Sequence, residues 1–157
     1  MRERAGYVVI GVGAGGLLDG FVLHQLLQWH HLWSRKTNDE TVQGLKDNTL
    51  ADGIFHTATL GVLLAGIALL VGRRVEARPL LGLALVGWGI FNVVDQLVFH
   101  LAIGAHHIRM HVDNPEVYDW AFAAMGVVLI AVGWAVARSG PRTGGARAGR
   151  AFPAVIA

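Results

Sequence analysis

The sequence of 157 residues has no cysteine, four prolines and only 15 % charged residues. Without cysteine there is no disulfide framework, no thiolate metal site and no cysteine nucleophile. The prolines are Pro79, Pro115, Pro141 and Pro153, so none interrupts a long apolar run. Scarce charge beside 54 % hydrophobic residues and a mean hydropathy of +0.48 excludes a disordered chain and speaks against an ordinary soluble domain. The net charge is only +2, which gives no reason to expect a nucleic-acid partner.

What the chain does have is four apolar stretches, each near the roughly 20 residues that a bilayer requires. They run over Tyr7–Trp33, Ala51–Gly72, Leu80–Gly104 and Val117–Ala137. Pro79 and Pro115 fall just before the third and fourth, where a helix start tolerates proline. Met1-Arg-Glu-Arg before an apolar run is also how a signal peptide begins, but the run continues into Asp19 and His24 without a cleavage region. The expected fold is all-α: an antiparallel four-helix membrane bundle over residues 1–138, with a flexible basic tail over 139–157. Of 13 lysines and arginines, nine fall at the termini and the Gly72–Pro79 loop, against four in the other two loops. Both termini are therefore expected in the cytoplasm and the protein in the cell membrane.

Gly11-Val-Gly-Ala-Gly-Gly16 matches a dinucleotide-binding turn in letters only, because it lies inside a span rather than in a strand–helix–strand unit. Gly11/Gly15 and Gly16/Gly20 read instead as small faces that let helices approach. A second pattern is more informative. Asp19, His24, His30 and His31 recur as Asp95, His100, His106 and His107, each displaced by 76 positions. Asp52 and Asp119 open the second and fourth spans, with His56 matched by Ala123. The chain therefore reads as two tandem helical hairpins related by an axis along the membrane normal.

At about 100° per residue, His24 and His31 are expected two turns apart on one helix face, with Gln28 between them. His100 and His107 repeat the arrangement, and Asp52 and His56 share a face at i, i+4. Burying such groups in hydrocarbon costs about 2.5–3.5 kcal/mol each on insertion scales, which a bound cation offsets. Hydrogen bonding between helices would account for one buried histidine. Several at one depth, repeated at fixed spacing, point to a transition metal held by imidazole and carboxylate. The expected ligands are His24, His56, His100 and Asp52, with His31 and His107 completing the site. Asp19, Asp95, Asn92 and Gln28 are expected to orient them or carry protons. His30, His106 and His111 are expected at the membrane interface.

The segments Asp19-Gly-Phe-Val-Leu-His-Gln-Leu-Leu-Gln-Trp-His-His31, Ala51-Asp-Gly-Ile-Phe-His56 and Asn92-x-x-Asp95-x4-His100-x5-His106-His107 carry a resemblance. Together they resemble a family of bacterial and archaeal four-span membrane proteins classified as a domain of unknown function. The resemblance extends to about Arg138 and implies the four-span topology but no reaction. Members occur near assembly factors for caa3-type terminal oxidases, which implies a respiratory setting and oxidase components as partners. Asp52-x3-His56 is also similar to the copper-ligand spacing in the C subunit of membrane copper monooxygenases.

Cu(I) handling uses cysteine and methionine, of which only Met110 and Met125 are present beyond Met1. Copper or iron is expected for redox work, with zinc as a further choice. Haem b between His24 and His100 is the rival cofactor. Three readings follow: a metal-dependent membrane oxidoreductase, an assembly or metal-handling protein without turnover, and a haem b cytochrome. The bilayer is the expected environment, and a homo-oligomer is allowed.

Overall fold

Hydropathy drives the chain into four helices, each long and apolar enough to cross a membrane. A computed structural model describes residues 1–139. The tail expected over 139–157 lies, beyond Ser139, outside the described residues. Helix α1 spans Arg2–Asp19 and continues as a π-helical segment, Gly20–Leu26. Helix α2 is Val42–Leu70, and α3 is Ala77–Asp95 with its own π-helical continuation, Gln96–Ala102. Helix α4 is Pro115–Arg138, with Pro115 in its first turn. All regular structure among the described residues is helical.

Helix α1 packs on α2, α3 packs on α4, and the two hairpins meet through α1 and α3. The central pair is close because glycine removes the side chain at the crossing. Gly11 faces the backbone carbonyl of Ala84, and Gly87 faces that of Val8. Gly13 sits against Leu63 of α2, and Gly89 against the carbonyl of Gly126 in α4. The glycine-rich run in the first span is thus helix-packing surface, as its place inside a span suggested. Helices α2 and α4 keep most of their apolar surface exposed, as lipid contact requires.

The helix limits differ from the hydropathy reading at the hairpin-loop end. The first helix stops at Leu26 rather than Trp33, and the third at Ala102 rather than Gly104. The chain turns back at Gln28 (φ 49°) and, 76 positions on, at Gly104 (φ 61°). Helix α2 starts well before Ala51, at Val42, with Thr41 Oγ1 accepting from the Gly44 N–H at 3.0 Å. The two hairpin loops are tied to each other through the backbone. The Arg35 N–H donates to the Ala105 carbonyl at 2.8 Å, and the Met110 N–H to that of Trp29 at 2.9 Å.

Candidate metal centre

Asp19 and His24 are five residues apart, which in an α-helix places them about 140° apart around the axis. A π-helix bonds i to i+5 and stacks such residues on one side. The segment that begins at Gly20 therefore brings Asp19 Oδ2 to 3.3 Å from His24 Nε2. The segment that begins at Gln96 does the same for Asp95 Oδ2 and His100 Nε2, at 3.1 Å. All four residues are buried.

The other face of each imidazole is held by the neighbouring helix. His24 Nδ1–H donates to Asp52 Oδ1 at 2.8 Å, and His100 Nδ1–H to Asp119 Oδ1 at 2.9 Å. Asp52 also accepts from His31 Nδ1–H at 2.7 Å and from the Leu32 N–H at 2.9 Å. Asp119 matches it, with His107 Nδ1–H at 2.6 Å and the Ile108 N–H at 2.8 Å. Both oxygens of each carboxylate are thus engaged in positioning histidines.

His30 and His106, expected at the interface, are instead buried at 2 % and 1 % exposure. The reason is the chain reversal. Once the helix ends, neighbouring residues no longer follow a helical face, so His31 turns to Asp52 while His30 turns inward. Each then crosses to the other hairpin: His30 Nδ1–H donates to the Ile108 carbonyl at 2.8 Å, His106 Nδ1–H to that of Leu32 at 3.0 Å. A carbonyl only accepts, so these bonds assign the tautomer and leave Nε2 of each ring with its lone pair. Neither Nε2 has a hydrogen-bond partner. Burial lowers the pKa of both rings, His106 to about 4 and His30 well below the ordinary histidine range, with neighbouring histidines adding to the effect. Burial thus favours the neutral form of both rings.

The four rings form one cluster. His30 and His106 stack at 4.4 Å between centroids, and each lies edge-on to its own partner, His24 at 4.5 Å and His100 at 4.4 Å. Donor atoms of Asp19, His24 and His30 lie within 4.8 Å of one another, as do those of Asp95, His100 and His106. Each trio is geometrically able to hold a metal ion.

The remaining sequence candidates lie around this cluster. His56 is half-buried, stacked on Phe21, with its ring 6.1 Å from that of His24. Its Nε2 is buried without a partner and packs against Gly20. Asn92 is fully buried near Gly126, with both amide atoms unpaired. Gln28, expected between two histidines on a helix face, is exposed at the chain reversal. His111 is exposed, with Nε2 3.4 Å from Asp39 Oδ2. Sequence reasoning missed the inward turn of His30 and His106 and the buried Gln96. The D-x4-H spacing was the available signal, because an offset of five is out of phase with an α-helix and in phase with a π-helix.

No curated protein and no solved structure matches the chain. A family model does, over residues 5–140, which takes in all four helices and every residue of the cluster. The chain therefore belongs to the family described as "Predicted membrane protein (DUF2243)".

Proposed function

We propose that this membrane protein is a metalloprotein holding two transition-metal ions, one on Asp19, His24 and His30 and one on Asp95, His100 and His106. The observation that carries the reading is the pair of buried, partnerless Nε2 lone pairs on His30 and His106. A buried acceptor without a donor is costly, and a cation satisfies it. Asp52 and Asp119 act through the histidines: they hold Nδ1–H and aim Nε2, the usual carboxylate–histidine–metal arrangement. Charge supports a pair of ions. Asp19, Asp52, Asp95 and Asp119, if ionised, bring four negative charges into a low-dielectric site, and two divalent cations balance them.

Two histidines and one carboxylate with open positions are the set that suits non-haem iron(II), which makes iron our first choice over copper and zinc. An ion held this way supplies Lewis-acid or one-electron chemistry. The duplicated hairpin gives the centre its pseudo-twofold symmetry. With both termini in the cytoplasm, as the arginine distribution favours, the centre lies in the outer half of the cell membrane. A redox role in respiration follows if the open positions take substrate, and an assembly role follows if the ion is only passed on. Haem b between His24 and His100 fits less well, because the rings of His30 and His106 fill the space between them.

One other reading has an observation in its favour. His24 and His100 each lie between two carboxylates, the geometry of a buried imidazolium that relays protons. It leaves the lone pairs of His30 and His106 unexplained. Elemental analysis and an optical spectrum of protein purified without chelator separate the three. Stoichiometric metal without a Soret band supports the proposal, a Soret band supports haem, and metal-free protein supports the proton reading.

A further inference from the structure

Between α1 and α4 lies an apolar cleft of about 440 Å³, and Asp19 is the one carboxylate among the described residues of its lining. Four aromatic residues, Trp29, Trp88, Tyr118 and Phe122, form much of its wall. At the hairpin-loop end Arg109 clasps two of them. Its guanidinium lies 4.9 Å from the Trp29 ring and 5.1 Å from that of Tyr118, and donates to Tyr118 Oη at 2.9 Å. Along the helices the cleft is bordered by Leu18, Val22 and Met125, which are exposed where lipid would contact the bundle. Along the helices the cleft is therefore open toward the bilayer. Asp19 has an oxygen to spare. Its Oδ2 faces His24, while Oδ1 is buried and has no hydrogen-bond partner.

We infer that this cleft binds a lipid-soluble aromatic alcohol, of the phenol or hydroquinone class, whose hydroxyl donates to Asp19. A planar ring suits aromatic walls through stacking and edge contacts. A hydroxyl donor is what a buried carboxylate oxygen lacks, and hydrogen bonds to an ionised acceptor are the strong ones. The cleft rests on the metal reading only through Asp19, which also belongs to the first metal trio. A molecule bound here would place its hydroxyl beside that trio.

The test uses the full chain in phosphatidylcholine vesicles and an alkylhydroquinone carrying a photoreactive azide. Crosslinked residues are mapped by mass spectrometry, in metal-replete and metal-stripped protein. Labelling should concentrate on 18–29 and 118–125 and fall about tenfold in Ala121→Trp, which fills the cleft from its exposed side. Asp19→Asn should weaken labelling by the hydroquinone about tenfold, the worth of one charge-assisted hydrogen bond, but not labelling by its dimethyl ether. Labelling spread along the lipid faces of α2 and α4, or unchanged in Ala121→Trp, overturns the inference. Labelling that persists in protein found never to hold metal sinks the metal reading and leaves the cleft standing.

Discussion

The two hairpins make the same contacts with different residues in one layer. Asp19, His24, Asp52 and His31 are hydrogen-bonded or paired as Asp95, His100, Asp119 and His107 are. One layer away from Asp52 the halves part. The first hairpin has Gly20 in one helix and His56 packed over it from the other. At the corresponding positions the second has a buried Gln96 and Ala123. Nearer the termini the pattern recurs, with Gly16 against Thr59 in the first and Asn92 against Gly126 in the second. Large and small have changed sides while the volume between helices is kept, as close packing demands. The carboxylates and imidazoles that pair with one another, from Asp19 to His31 and their counterparts, show no such exchange, unlike His56. The exchange also leaves the first trio with an extra imidazole nearby and the second with an amide.

The largest effect should appear where the halves agree. Asp52→Asn replaces an acceptor of four N–H donors, Gln25 Nε2 at 3.3 Å being the fourth, and Asp119→Asn an acceptor of three, each by a group that is half donor. Each should cost about 3–5 kcal/mol, the range for breaking a buried charged pair. Thermal unfolding in detergent should show similar losses for both, and a large loss in only one half would break the equivalence.

A middle-sized effect probes where they differ. In Gly20→Ala the new methyl meets the His56 ring, and overpacking of this kind costs about 1–3 kcal/mol. Adding His56→Ala should recover most of that loss. A double variant no better than Gly20→Ala would show that His56 is not what fills the space.

The smallest effect concerns the chain reversals. Gly104→Ala places a side chain at φ 61° and should cost about 1 kcal/mol. Gln28→Gly, at φ 49°, should gain less than that, because glycine also frees the unfolded chain. Unfolding midpoints that move the other way would contradict the left-handed conformation at these two positions.

Much of this was legible in the sequence for physical reasons. Span number follows from apolar run length, and the glycine faces from close approach inside a span. The recurrence at 76 positions marked Asp19, His24, Asp95 and His100 as a set. What stayed hidden depended on where the helix stops. Carrying 3.6-residue periodicity through Gln28 put His24 and His31 on one face and left His30 facing lipid headgroups. The reversal at Gln28 does the opposite, and glutamine, unlike Gly104, gives no warning of a left-handed turn. The hydrogen-bonding of the carboxylates was also hidden. Asp52 was expected to bind metal and Asp19 to orient. Asp52 has both oxygens engaged by donors, whereas Asp19 joins the trio around His24 and His30.

The most direct test of the central claim is metal stoichiometry in wild type, His30→Ala and His106→Ala, purified side by side with His111→Ala as a surface control. Two ions per chain are expected in wild type and in His111→Ala, and one in each of the other two variants. Equal metal content in all four, or none in folded wild type, would contradict it.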